Sequence, residues 1–263
     1  MRDMKEISTA ERRSQIAQMV TEKGQVYVSD LVEMFNVSEV SIRRDLTLLE
    51  ESKRLKRVHG GAIPIPGSFR TDSFEEKQKL HNDAKERIGQ FAASLIQQGD
   101  IILLDSGTTT LEIVRNIPPS LRVSNMINMV SNSMPLSQEV LSWPSPNLTV
   151  LGGIYLPDYQ ATVGPQTLSQ LQELTADVAF LGTDGLTLEG GATTANVLMA
   201  EVDRMMADHA GKTVLVTDSS KFWRKGFVPV KKVSAYQTII TDKDAPMDMV
   251  NAIRAMGVEV LLV

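Results

Sequence analysis

The 263-residue sequence predicts an α/β protein in two parts, a small amino-terminal winged helix-turn-helix unit and a larger, mostly parallel α/β domain. Three observations carry this expectation. Apolar helical patterns separated by a tight turn fill the amino-terminal part, a Pro/Gly-rich stretch follows, and from Ile101 short apolar runs alternate with amphipathic helical ones. The expected boundaries are 1–62 for the winged unit, 63–72 for a linker and 73–263 for the α/β domain.

Ser8 and Glu11 make a capping-box pattern, and Ile16, Met19 and Val20 continue on one face of a first helix that Gly24 ends. A short β-type segment, 26–28, leads to Ser29, expected as the N-cap of a short second helix whose apolar face is Leu31, Val32 and Phe35. Asn36 and Val37 form the tight turn into the next helix. That helix starts at Ser38, a good N-cap, with Glu39 in the first turn where the helix dipole favours a negative charge. Ile42, Leu46 and Leu49 recur at i, i+4 and i+7 as a buried stripe; the opposite face carries Val40, Arg44 and Thr47, with Ser41 and Arg43 on its flanks. Two arginines on a helix are by themselves equally a plain solvated face. Helix, short helix, tight turn and helix with exposed arginines is, however, the layout in which the last helix enters a DNA major groove.

Residues 54–58 then alternate charged and apolar side chains like a short ribbon, a wing followed by the turn His59-Gly60-Gly61-Ala62. Its basic residues, Arg57 among them, would touch backbone phosphates, and His59 is either a further DNA contact or a hydrogen-bonding part of the turn.

The charge supports a localised DNA-binding role. Net charge is −5, yet residues 43–57 hold six basic side chains against three acidic ones. A small basic patch on an acidic body suits a DNA-binding module and excludes a sequence-independent coating protein, which would be basic throughout. The absence of cysteine excludes a disulfide framework, a zinc-thiolate finger and a cysteine nucleophile. The amino terminus has no signal-peptide core and no run approaches the ~18 apolar residues of a membrane span, so a cytoplasmic protein without membrane contact is expected. No cofactor or metal is called for.

Ile63-Pro-Ile-Pro-Gly-Ser68 has linker composition, Ser73 and Glu76 form another capping box, and Ile88, Phe91, Ala92, Leu95 and Ile96 give an amphipathic helix ending at Gly99. Strands are expected near 101–104, 126–130, 148–151, 178–181, 213–217, 237–241 and 259–262, and a last helix near 247–256.

Open α/β sheets bind ligands outside the carboxyl ends of their strands. The first such loop is Asp105-Ser106-Gly107-Thr108-Thr109-Thr110, which opens a helix: glycine lets the backbone approach closely, hydroxyls donate, and the helix amino terminus offers N–H groups. It is either an anion cradle or a set of hydroxyls that merely cap the helix. Residues 131–133 with Asn132, the pair Gly152-Gly153, residues 182–185 with Asp184 and Gly185, and residues 218–221 with Lys221 stand at equivalent ends. Asp105 and Asp184 either accept sugar hydroxyls or brace their turns, and Lys221 is a point charge for a phosphate or an ordinary surface lysine.

VSEVSIRRDLTLLE followed by RVHGGA resembles the amino-terminal winged helix of the DeoR family of bacterial sugar-operon regulators, and LLDSGTTT, VSNSMPL, ADVAFLGTDGL, GGATT and TDSSKF resemble its carboxy-terminal sensing domain. Ser41 stands where threonine is usual. The resemblance implies a fold similar to ribose-5-phosphate isomerase and a repressor that binds double-stranded operator DNA under the control of a phosphorylated sugar or polyol. A homo-oligomer, dimer or tetramer, is expected because two helices about one DNA turn, ~34 Å, apart read paired half-sites far more tightly than one. It further implies that Ser106 to Thr110 hold the phosphate, that Asn132, Gly152 and Gly153 line the pocket, and that Asp184, Gly185 and Lys221 meet the sugar.

An alternative of another class is a sugar-phosphate isomerase or deaminase with an added interaction module, and a third is a coactivator that binds protein. Thr187 stands where the isomerase pattern has its second carboxylate and Glu189 where it has lysine, so the acid and base that proton transfer requires are missing and no catalytic residue is expected. Met199 occupies a position where the regulators often carry glutamate.

Overall fold

The computed structural model describes residues 7–23, 25–52, 54–58, 60–63, 72–123 and 126–263. They form two compact units, Met1–Leu80 and His81–Val263.

In the first unit, α1 (Thr9–Lys23) is followed by β1 (Val26–Tyr27), α2 (Val28–Phe35), α3 (Glu39–Glu51), β2 (Lys56–Val58), β3 (Gly61–Ile63) and α4 (Phe74–Gln78). Ser8 accepts from the Glu11 N–H at 3.2 Å, as its spacing predicts. Ser29 is not the second N-cap: α2 already begins at Val28 behind Tyr27, because Val28 is drawn into the core and its N–H is taken by the carbonyl of Gly60 at 2.8 Å. Asn36 makes the tight turn in the left-handed region, φ 48°, which asparagine tolerates better than most residues. Ile42, Leu46 and Leu49 pack with Ile16, Val20, Leu31 and Leu55 in one core.

The wing differs in one respect from its sequence reading. Gly61 and Ala62 are not turn residues but belong to β3, the central strand of a sheet ordered β1-β3-β2. A Cβ on Gly61 would lie 2.0 Å from the Val26 carbonyl oxygen, so the close approach of β1 requires glycine there.

The linker expected at 63–72 lies mostly outside the described residues; of its two ends, Ile63 closes β3, and Asp72 accepts from Ser14 Oγ at 2.9 Å and pairs with Arg54. The full Ser73–Glu76 capping box starts α4. His81 then enters the left-handed region, φ 53°, and breaks the chain before the next helix. The division between units therefore falls after Leu80, later than the expected start at 73.

The second unit runs α5 (Asn82–Ser94), β4 (Ile101–Leu104), α6 (Thr108–Asn116), β5 (Asn128–Ser131), α7 (Met134–Val140), β6 (Leu148–Val150), β7 (Ile154–Leu156), β8 (Ala161–Val163), α8 (Pro165–Gln172) and β9 (Ala176–Leu181). It continues with β10 (Gly185–Thr187), β11 (Gly191–Thr194), α9 (Val197–Asp208), β12 (Ala210–Val216), β13 (Val228–Lys231), β14 (Thr238–Thr241), α10 (Met247–Ala255) and β15 (Glu259–Leu262). Seven strands make a parallel sheet in the order β15-β14-β12-β9-β4-β5-β6. Their apolar runs are continuous because helices cover both faces of such a sheet. From β4 the chain steps outward through β5 and β6, then returns to the other side of β4 with β9. The gap between β4 and β9 is thus the point where the winding reverses, the usual place for a ligand crevice.

Two smaller antiparallel elements stand apart from that sheet, the β7–β8 hairpin and the three-stranded β10-β11-β13. Neither is apparent in the apolar pattern. Among the described residues no helix is long and apolar enough to cross a membrane.

Candidate functional site

The Ser38 side chain caps α3 by accepting from the Ser41 N–H at 3.2 Å, and its hydroxyl also meets that of Ser41. Val40 is 76% exposed and Arg44 is exposed, with no ion-pair partner among the described residues. Arg43 is exposed too, but Glu39 one turn earlier holds its guanidinium at 2.6 Å. Thr47 is half-buried; its hydroxyl donates to the Arg43 carbonyl at 2.9 Å and accepts from Arg57 Nη1 at 2.8 Å. Arg57 is braced further by its N–H, which donates to Glu50. The wing is thereby tied to α3. Arg54, one of the local basic side chains, is engaged by Asp72, and His59 lies outside the described residues.

One residue of α3 was not singled out by sequence. Asp45 is 1% exposed and accepts from Arg12 Nε at 2.7 Å and Arg13 Nε at 2.8 Å, which fixes α3 against α1.

In the second unit, Asp105 leaves β4 at the reversal point and is buried. Its Oδ1 accepts from the Gly107 N–H at 2.8 Å and Thr110 Oγ1 at 2.7 Å, and its Oδ2 accepts from the Gly182 N–H at 2.5 Å. Asp105 therefore laces the β4 loop to the β9 loop, and Thr110 serves Asp105. Burial raises the Asp105 pKa, only partly offset by those hydrogen bonds, and the charge of Asp184 adds to the rise. Gly107 caps α6 without a side-chain cap, so the hydroxyl-capping alternative does not describe this helix. Ser106, Thr108 and Thr109 are buried, and no protein partner is recorded for their hydroxyls among the described residues. The first turn of any α-helix has N–H groups without intrahelical acceptors, and here Ser106, Thr108 and Thr109 stand at that turn.

Asn132 follows β5, the neighbour of β4. Its Nδ2 donates to the Thr162 carbonyl at 2.8 Å, its own carbonyl accepts from the Thr162 N–H, and its Oδ1 is buried without a partner. The hairpin β7–β8 is thereby fastened to the end of β5. Gly152 and Gly153 meet α8: the Gly152 carbonyl accepts from Thr167 Oγ1 at 2.8 Å, and a Cβ on Gly153 would lie 2.2 Å from Thr167 Oγ1.

Asp184 accepts from Thr194 Oγ1 at 3.0 Å and the Ala195 N–H at 3.2 Å, which anchors it to β11. Gly185 is required by packing, since a Cβ would stand 2.4 Å from the Arg224 carbonyl oxygen. Lys221 directs its charge at Asp218. Burial alone would raise the Asp218 pKa, but Lys221, a Ser220 hydrogen bond, His81 and Lys85 outweigh it and the carboxyl sits below its ordinary value.

Sequence reasoning missed two buried polar groups of the second unit. Asp203 on α9 is buried with Oδ1 unpartnered, and the Tyr236 hydroxyl is buried and likewise unpartnered. Burial, then the charges of Asp105 and Asp184, push Asp203 well above the ordinary carboxylate value, with Arg204 opposing. Burial, then Asp203 and Asp105, raise Tyr236. The available signal was a charged residue inside the apolar stripe Met199, Val202 and Met206. Among the described residues no group of three or more ligating side chains is arranged to hold a metal ion.

The DeoR-like helix-turn-helix domain matches residues 12–66 and the DeoR C terminal sensor domain matches residues 80–243. A protein assigned as an aga operon transcriptional repressor in Escherichia coli O157:H7 is 35% identical over 97% of this chain and 94% of its own length. The HTH-type transcriptional regulator GlpR of Haloferax volcanii is 31% identical over 96% and 97%, respectively. Ribose 5-phosphate isomerase A of Methanocaldococcus jannaschii is similar over 54% of each chain at 18% identity, with a TM-score of 0.39, a partial likeness only. Because the matches run in the same order through both units and along nearly the whole length of the relatives, the chain belongs to the DeoR family of transcriptional regulators and is not an enzyme.

Proposed function

We propose that the protein represses a sugar- or polyol-utilisation operon and that a phosphorylated sugar or polyol, bound at the carboxyl ends of β4, β5, β9 and β12, controls its hold on double-stranded operator DNA. The observation that carries the effector reading is the start of α6: a helix amino terminus without a side-chain cap, at the winding reversal, with Ser106, Thr108 and Thr109 in and beside its first turn. N–H groups, dipole and hydroxyls together suit a phosphate. Asn132, Gly152, Gly153, Asp184, Gly185 and Lys221 shape the surroundings more through their backbone and mutual bonds than as free donors. On the DNA side, Val40, Ser41, Arg43, Arg44 and Thr47 form the groove face and Arg57 the base of the wing. The repressor name of one relative and the regulator name of another support this reading. A homo-oligomer, dimer or tetramer, follows from the need to read paired half-sites about one DNA turn, ~34 Å, apart.

Control requires the effector to bind operator-competent and incompetent arrangements unequally. The test is a thermal-shift screen of phosphorylated and unphosphorylated sugars and polyols, with each hit carried into operator gel shifts. Phosphorylated compounds are expected to raise the melting temperature and alter the gel shift. Stabilisation by unphosphorylated sugars alone would overturn the assignment of Ser106, Thr108 and Thr109.

A further inference from the structure

We propose that β6, an edge strand of the seven-stranded sheet, pairs antiparallel with the β6 of a second copy of the chain about a two-fold axis at Thr149. The proposal rests on the homo-oligomer reading above and adds where two copies meet.

The two edges of that sheet, β15 and β6, differ in their free backbone groups. Along a paired strand, alternate residues turn their N–H and C=O groups to opposite sides. In β15 the N–H groups of Glu259 and Val263 donate to Gln237 and Thr241 on the β14 side, so Val260 turns outward, and its carbonyl accepts from Arg254 Nη2 at 2.8 Å. The chain itself partly closes that edge. In β6 the Asn147 carbonyl accepts from the Met129 N–H at 3.0 Å and the Leu151 N–H donates to the Ser131 carbonyl at 2.9 Å, both on β5. Leu148 and Val150 therefore turn outward, and among the described residues no hydrogen bond meets their backbone groups. Natural edge strands are commonly guarded by a lysine, a proline or a bulge. Leu148-Thr149-Val150 has none of the three.

Charge selects the occupant. The chain carries a net charge of −5, so two copies repel one another over most of their surface. Between Arg122 and Glu173, however, the only charged side chains are Glu139 and Asp158, in a chain that is 22% charged, and Glu139 is paired with Arg115 at 3.2 Å. Thr149 and Val150 are exposed, as are Leu141, Ile154 and Tyr155 of the same stretch. Loss of charge with retention of apolar and aromatic surface is the composition of an interface core. A nucleic acid or a charged peptide finds no opposite charge on β6, whereas a second copy brings an equally neutral strand with matching free groups.

Those free groups also set the register. Residues that exchange main-chain bonds across an antiparallel pair stand opposite one another, so Leu148 of each copy faces Val150 of the other. Thr149 then faces its own counterpart in the non-hydrogen-bonded position, with Cα atoms about 4.5 Å apart. That separation lies within the range of a disulfide.

The chain has no cysteine, so a single introduced one reports the register. Full-length Thr149→Cys under oxidised glutathione is expected to form a disulfide-linked dimer on non-reducing gels about tenfold or more faster than Val150→Cys, whose copies stand diagonally about 7–8 Å apart, at or beyond the limit of a disulfide. Val150→Lys is expected to halve the mass measured by light scattering at concentrations where the native protein is fully assembled. Val150→Thr, neutral and β-branched, leaves that mass unchanged. Melting curves and circular dichroism report whether both are folded. Equal cross-linking rates for the two cysteine variants, or an undiminished mass in folded Val150→Lys, overturns the proposal while the oligomer reading stands. A native protein that is monomeric at micromolar concentration removes both.

Discussion

Removing the carboxylate of Asp45 should unfasten the DNA-facing helix from the rest of its unit. Asp45 accepts two charge-assisted hydrogen bonds, at 2.7 Å from Arg12 and 2.8 Å from Arg13, and these guanidinium side chains are 12% and 32% exposed. Deleting one partner of a buried ion pair costs about 3–5 kcal/mol, because a charge is left without compensation. Arg13 is exposed enough to regain water, whereas Arg12 is not. Asp45→Ala is therefore placed at the lower end, about 3 kcal/mol. A unit of this size has little stability to spare, since whole domains are stable by only about 5–15 kcal/mol. Both tryptophans, Trp143 and Trp223, lie in the second unit. In a urea titration far-UV circular dichroism should show an earlier transition while the tryptophan fluorescence midpoint stays where it was. Asp45→Asn should fall between, because its oxygen still serves one arginine while its amide group faces the other. A loss below about 1 kcal/mol, the usual value of an exposed pair, would refute the claim that these bonds hold α3 in place.

Three further outcomes are expected. Arg44→Ala should weaken operator binding by about 1–3 kcal/mol if the guanidinium reads a guanine, and Arg43→Ala by less, since Glu39 already holds Arg43; gel shifts giving the reverse order would contradict this division. Gly61→Ala should disrupt the wing and cost more stability than Gly60→Ala, which has open space and a positive φ of 77° as its main penalty; thermal melting compares them. Asp203 is protonated more readily in the folded protein than in the unfolded chain, whose value is near 3.8. Its contribution is therefore fully present below that pH and is lost as pH rises toward the folded value. Asp203→Asn should accordingly gain stability over the native protein in urea melts as pH is raised from 4 to 7, and parallel pH profiles would refute the assignment.

The elements legible in the sequence are those whose cause is local. Ser38 caps α3 because of what stands three residues on, and the Ile42, Leu46 and Leu49 stripe is a matter of helical period. Strands β4 and β15 match the expected 101–104 and 259–262 because buried parallel strands are continuous apolar runs. The sheet β10-β11-β13 was not legible: GLT, GATT and VPVK are short, contain glycine or proline, and β11 finds β13 only across α9 and β12. The candidate site divides the same way. Its loops were found from the strand ends that precede them, but which atoms remain available depended on bonds such as Asp105 to Gly182, separated by 77 positions.

Asp45 and Asp203 make the limit specific. Each is a single aspartate interrupting an apolar helical stripe, each is buried, and the local pattern treats them alike. The fold separates them. Asp45 meets two arginines from α1 and acts as a structural clasp, whereas Asp203 meets the fields of two further carboxylates and has an oxygen without a partner. A charge on an apolar stripe thus reports that the fold must answer it, and only the tertiary partners decide whether the answer is an opposite charge, as for Asp45, or a carboxyl held toward its neutral form, as for Asp203.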